Sequence, residues 1–180
     1  MILKLCLAAA ASVVVVAGST AAEPGVVPVP GAVSALKGCW RGVGEAVGKR
    51  VVVALNAKPI LQNAMFTVDV DSSAAGDPND QYVAHLIFGG ADAGADKTGN
   101  DIVGFWADDF GGAYTSLGRG KSSPHGFEIT YPYPDAAYVN RWRLSGDDLN
   151  WSIVERDPKG VEKAFATYTM NKVSCPPASL

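Results

Sequence analysis

The 180-residue sequence predicts an all-β fold: a single closed antiparallel barrel of about ten strands, preceded by a short helical turn. Three observations point there. Beyond Gly38 the helix period disappears, and short runs rich in Val, Thr, Phe, Tyr and Trp take over, separated by Gly, Pro, Asn and Asp clusters. Most connections between these runs are too short for a parallel crossover, so neighbours in sequence pair antiparallel. Cys39 and Cys175 stand at the two ends of the strand-rich region, where a bond between them ties the first strand to the last.

The first 22 residues read as a secretory signal peptide. One basic residue, Lys4, precedes an apolar stretch from Leu5 to Ala17, and Gly18-Ser19-Thr20-Ala21-Ala22 supplies the small residues of a cleavage site. Thr20 and Ala22 fit the small-x-small rule, which predicts a mature start at Glu23. The apolar core is short for a membrane helix, and no later stretch approaches the ~20 apolar residues a span needs, so no stable membrane span is expected in the mature form. Cleavage removes Lys4 and Cys6. The mature chain then carries 14 basic and 18 acidic residues, a net charge of −4, which argues against nucleic acid as a partner. Exactly two cysteines, Cys39 and Cys175, enter an oxidising compartment, secreted or periplasmic, where a disulfide is the expectation.

Residues 23–37 form an extended leader of alternating Pro, Gly and Val that ends in a helical turn over Gly31 to Lys37. The barrel follows over residues 38–175, with a tail at 176–180. Its strands are expected at Cys39 to Ala46, Arg50 to Asn56, Ala64 to Asp71, Gln81 to Phe88, Ile102 to Ala107, Ala113 to Gly118, Gly126 to Tyr131, Tyr138 to Leu144, Asn150 to Arg156 and Ala164 to Lys172. Ser145-Gly146-Asp147-Asp148 and Asp157-Pro158-Lys159-Gly160 are turns, the second with Pro and Gly where a type I turn favours them. Two longer loops, Ser72 to Asp80 and Gly89 to Asp101, are expected to share one rim. Alternation along a strand sends Phe66, Val68 and Val70 inward with Ala64, and Phe127, Ile129 and Tyr131 inward opposite Glu128 and Thr130. Trp151, Ile153 and Glu155 share a face, as do Tyr138, Asn140 and Trp142. Arg141 and Arg143 lie on the opposite side of that last strand, whose two faces both mix polar and apolar groups: facing out, the favoured reading, they are solvated surface charges, and facing in they would pair with a ligand carboxylate.

Gly38-Cys39-Trp40 after a helical turn resembles the Gly-x-Trp opening of lipocalins, and Arg41-Gly42-Val43-Gly44-Glu45 resembles the start of the lipocalin-like domains grouped as DUF1579. Gly104-Phe105-Trp106-Ala107-Asp108 is similar to that family's strand ending in Trp-x-Asp, and Ser116-Leu117-Gly118 to its Ser-x-Gly after a turn. The likeness runs from about Gly38 to Val173 and implies a calycin-type barrel without a defined activity. The Thr-Asp-Tyr-type turn of true lipocalins is absent. So is the histidine near the chain end that haem-binding nitrobindin-like barrels use; the two histidines are His85 and His125.

A barrel of this size either fills its interior or leaves a pocket at its mouth. The candidate lining is Phe66, Trp106, Tyr131, Tyr138, Asn140, Trp142 and Trp151, a set that suits a small apolar or aromatic molecule and equally suits a packed core. Tyr131, Asp108 and Glu155 are the weak catalytic candidates, because a buried tyrosine beside a carboxyl can shuttle a proton. Asp108 and Asp109 resemble a carboxylate pair, but at a strand end beside glycines a turn role is the simpler reading. The oxygen-rich stretch from Asp92 to Asp101 lacks the spacing of a calcium loop, and Ser34-Ala35-Leu36-Lys37 lacks the companion motifs of a Ser-x-x-Lys enzyme. No metal and no cofactor is expected. Three functions follow: a binding barrel for a small apolar or aromatic molecule, a hydratase, isomerase or cyclase type of enzyme, or a packed barrel whose rim loops bind a protein.

Overall fold

The computed structural model describes residues 27–91 and 99–177. The signal segment, the first four residues of the leader, the tip of the tail and most of the oxygen-rich stretch lie outside the described residues. Ten strands form: β1 (Gly38–Ala46), β2 (Lys49–Ile60), β3 (Met65–Ala74), β4 (Asp77–Gly90), β5 (Asp101–Asp108), β6 (Ser116–Ser123), β7 (Gly126–Pro132), β8 (Ala137–Ser145), β9 (Asp148–Arg156) and β10 (Glu162–Val173). Each pairs antiparallel with its sequence neighbour, and β10 returns to β1 through Cys39↔Val173 to Ala46↔Ala166, closing the barrel. Closure removes the exposed strand edges of an open sheet.

The base is the end where β1 begins. Helix α1 (Gly31–Ser34) plugs it, packing against β6 and β7 and burying Val33, with Leu36 following fully buried. Trp40 Nε1 donates to the Leu36 carbonyl at 2.7 Å, which fixes the plug to the first strand. Beside it, Cys39 and Cys175 are disulfide-bonded, with Cα atoms 5.1 Å apart.

Two expectations need correction. Residues Ser72 to Asp80 are mostly strand, with β3 and β4 meeting at a turn around Ala75 and Gly76. That turn lies at the mouth, while the β4–β5 connection leaves from the base, because loops one strand apart in an antiparallel meander fall at opposite ends. The sixth strand begins late, at Ser116 after a 3-10 turn over Gly112–Tyr114, and runs on through Gly118, Arg119 and Gly120 to Ser123. Gly118 ends the expected strand, and Gly120 lies beyond it. They face inward, where a Cβ on Gly118 would meet Tyr131 Cδ1 on the adjacent strand β7 at 2.7 Å, so only glycine leaves room for that ring.

Arg141 lies outside, the favoured of the two facings open from sequence. It donates to Glu128 at 2.8 Å and to both carboxylate oxygens of Glu162 at 2.8 and 3.0 Å, while Arg156 also reaches Glu162 at 2.6 Å. Arg143 is exposed and donates to the Trp142 carbonyl. Hydrogen bonds from Arg141 and then Arg156 lower the Glu162 pKa to about 2, well below the ordinary glutamate value. A lowered folded-state pKa contributes stability above the unfolded value and loses it as pH falls through the folded one. The stability difference between the natural protein and Glu162→Gln is therefore expected to be constant above pH ~5 and to shrink between pH ~4.5 and ~2 in urea unfolding. A difference independent of pH across that window would contradict the ion-pair account.

Candidate functional site

The inward side chains form tiers from base to mouth. Phe66 sits low, paired across β3 and β4 with Phe88. Above them runs an aromatic stack. Phe127 lies 5.5 Å from Trp142, Trp142 lies 4.3 Å from Trp151, and Trp151 lies 4.7 Å from Tyr168, with interplanar angles of 11°, 12° and 29°. Trp106 caps this column, tilted against Trp151 at 6.1 Å and edge-on to Tyr131 at 5.4 Å. Trp142, Trp151 and Tyr131 are at most 1% exposed. The rings occupy the barrel interior and one another's neighbourhood. Of the predicted lining, Trp106, Tyr131, Trp142 and Trp151 are thus brought together as a packed column, whereas Phe66 lies toward the base and Tyr138 at the mouth. The two best-formed concavities among the described residues are both elsewhere. One lies at the base beside Ser34, Lys37 and Met65, and the other along Arg41, Asp71 and Gln81.

Asn140 Oδ1 accepts from Trp151 Nε1 at 2.9 Å, which holds the column in register. Asn140 Nδ2, Trp142 Nε1 and the Tyr131 hydroxyl have no hydrogen-bond partner among the described residues. Tyr131 lies along the glycines of β5 and β6, with its hydroxyl 2.8 Å from where a Cβ of Gly104 would stand, and burial pushes its pKa up. No hydrogen bond joins it to Asp108 or Glu155. Because a buried unpaired hydroxyl carries a desolvation cost, Tyr131→Phe is expected to be neutral or stabilising by up to ~1 kcal/mol in denaturant unfolding. A loss above ~1 kcal/mol would show that the hydroxyl has a structural partner.

The mouth is differently built. Asp108 ends β5 and faces in, two residues after Trp106. Its Oδ2 accepts from Tyr82 Oη at 3.1 Å and from Trp106 Nε1 at 3.0 Å, while Oδ1 accepts from the Phe110 amide at 3.2 Å. The turn role read from sequence is therefore joined by a second one, positioning two aromatic side chains. Asp109 points outward and is exposed. Around Asp108 stand Tyr82 and Phe110 (5.9 Å), Phe110 and Tyr114 (6.0 Å), Tyr133 and Tyr138 (5.4 Å), and Tyr138 and Phe165 (4.9 Å). Tyr133 Oη donates to the Tyr114 carbonyl at 2.7 Å and links two rim loops. Phe110 and Tyr114 remain 68% and 54% exposed. Glu155 shares the inward face of Trp151 and Ile153 and lies opposite Tyr138 across β8 and β9.

Burial, then the Asp108 charge, raises the pKa values of Tyr82 and Tyr133; burial, then Glu155, raises that of Tyr138. Burial alone pushes Tyr168 up to about 12. All four phenols stay neutral hydrogen-bond donors at physiological pH. Sequence reasoning passed over Tyr82, Tyr133, Tyr168 and Phe165. Alternation with Ala84, Leu86 and Phe88 carries a signal for Tyr82, and alternation with Ala166 and Met170 one for Tyr168. Tyr133 is hidden between two prolines in a turn.

On the outer wall, His85 Nδ1 lies 2.6 Å from Asp69 Oδ1, and Thr67 Oγ1 lies 3.2 Å from His85 Nε2. The residue types match a nucleophile, base and acid, but the geometry does not. Thr67 is 1% exposed, its hydroxyl donates to the Leu86 carbonyl, and it lies almost as close to Nδ1, at 3.5 Å, as to Nε2.

No family model and no curated protein matches the chain. Solved structures do. Rv2717c from M. tuberculosis is 15% identical with a TM-score of 0.60, covering 81% of this chain and 99% of that one. The S-type phycobiliprotein lyase CPES from Guillardia theta is 10% identical with a TM-score of 0.55, covering 80% of this chain and 92% of that one. At these identities the likeness establishes the fold, a lipocalin-like barrel, and nothing of the chemistry.

Proposed function

We propose that this chain is a secreted or periplasmic lipocalin-like barrel of the DUF1579 class, whose mouth holds a small apolar or aromatic molecule without transforming it. The observation that carries this reading is the contrast between the two ends of the barrel interior. The lower tiers are filled by stacked rings, while the mouth presents aromatic faces, two of them well exposed, above a tryptophan floor. Aromatic side chains give large contact area at low entropic cost, and neutral phenols add directional hydrogen bonds. The phycobiliprotein lyase is a barrel of the same fold that acts on a phycobiliprotein, and a small-molecule ligand here is compatible with that likeness. The disulfide supports export, and N-terminal sequencing of the mature protein is expected to begin at Glu23. The enzyme alternative needs Tyr131 within reach of a carboxyl, and its hydroxyl has no such partner.

The test is a titration with the neutral fluorophore N-phenyl-1-naphthylamine, alongside mass spectrometry of solvent extracts of protein purified from its native source. One saturable site, weakened about tenfold when Tyr133 and Tyr138 are both changed to alanine, is the expected outcome. No saturable binding together with an empty extract would overturn the reading.

A further inference from the structure

The ring of tyrosines at the mouth is drawn around negative charge. Asp108 is partly buried, accepts three hydrogen bonds and forms no ion pair among the described residues. Glu155, also partly buried and inward-facing, likewise forms none; its cross-strand neighbour Lys163 is exposed and does not pair with it. At the same rim Lys49 is held by Asp80 at 2.7 Å, so its charge is already compensated. The three donors on Asp108 are a phenol, an indole and an amide. They orient the carboxylate and leave its formal charge in place. An aromatic face attracts a cation through its quadrupole, more strongly as the site is desolvated, and a carboxylate at the same place adds to that field.

We infer that the mouth site selects an organic cation: an ammonium group on a flat apolar or aromatic body, with the body resting on Trp106 and the rim tyrosines and the charge directed at Asp108, with Glu155 as a second anionic wall. This rests on the mouth being a ligand site, and it adds the sign of the ligand's charge. Neutral ligands lose only the electrostatic part. Anionic ones face two uncompensated carboxylates and bind worst. Raised tyrosine pKa values fit the same picture, since the phenols cannot ionise to relieve or deepen the negative field.

Calorimetric titration of the full mature protein with 2-naphthylmethylamine, 2-naphthylmethanol and 2-naphthoic acid at pH 7 and low salt separates the two readings. The amine is expected to bind about tenfold more tightly than the alcohol, and the acid more weakly than either. Glu155→Gln, whose side chain makes no hydrogen bond, is expected to reduce the amine-to-alcohol ratio, and Asp108→Asn to bring it below about threefold. Because the readout is a ratio within one protein, a general loss of folding does not mimic it. Equal binding of amine and alcohol, or preference for the acid, would overturn the cation assignment while leaving the mouth site intact. Failure of all three compounds to bind would overturn both.

Discussion

Replacing Trp151 by alanine is expected to cost about 3–5 kcal/mol of unfolding free energy, the range for deleting a large buried aromatic. Trp151 is 1% exposed and touches three rings, Trp142, Tyr168 and Trp106, so its removal breaks the aromatic column at its centre. The loss also strips the side chain of Asn140 of its hydrogen bond from Trp151 and leaves its amide unpartnered in the barrel interior. Trp151→Phe should recover much of the packing but none of the hydrogen bond, and so fall between the two. As a control, Val43→Ala on the outer wall, where Val43 is 57% exposed, should stay within about 0.5 kcal/mol. Guanidinium unfolding followed by circular dichroism reads all three. The natural protein should also show an exciton couplet from the stacked Trp142 and Trp151, which Trp151→Ala abolishes. A Trp151→Ala cost below ~1 kcal/mol would mean that the interior is loosely filled and free to admit a ligand.

Opening the disulfide is the second large effect. Cys39 and Cys175 are 136 residues apart, so the bond constrains nearly the whole unfolded chain, and chain-entropy reasoning gives about 4–5 kcal/mol. The folded barrel is already closed without it, since Cys39 pairs with Val173 through the backbone. The cost of a Cys39→Ser, Cys175→Ser double variant should therefore appear as a lower unfolding midpoint with the native spectrum retained. Thiol labelling under non-reducing denaturation should find neither cysteine of the mature protein reactive. Two labelled thiols would remove the bond from the account.

The strand order was legible because a meander with short turns has few alternatives, and because alternation identifies inward residues such as Phe127, Ile129 and Tyr131 without any knowledge of their partners. The late start of β6 was not. Gly120 lies beyond the strand expected from sequence, and the requirement that Gly118 and Gly120 lack side chains comes from the Tyr131 ring and from the Glu128 and Ile129 backbone on a neighbouring strand rather than from the local sequence. The site was legible only in its ingredients. Period-two alternation puts Tyr138 and Trp142 on one face of their strand and Trp151 with Ile153 on one face of theirs, but it says nothing of height along the barrel axis. Height separates a floor from a mouth, and it depends on register and shear between strands. Asp108 shows the same limit: its turn role follows from local composition, while its bonds to Tyr82 and Trp106 depend on the pairing of β4 with β5.

The column of rings fills the barrel, and the proposed ligand site is confined to the mouth. The chain has four tryptophans, Trp40, Trp106, Trp142 and Trp151, and hence four indole N–H signals in a nitrogen-edited proton spectrum. Titration with N-phenyl-1-naphthylamine should shift the Trp106 signal, whose N–H is bonded to Asp108 at the mouth, and leave those of Trp142 and of Trp40 at the base in place. Large shifts of Trp142 with Trp106 unmoved would place the ligand inside the barrel and contradict the account.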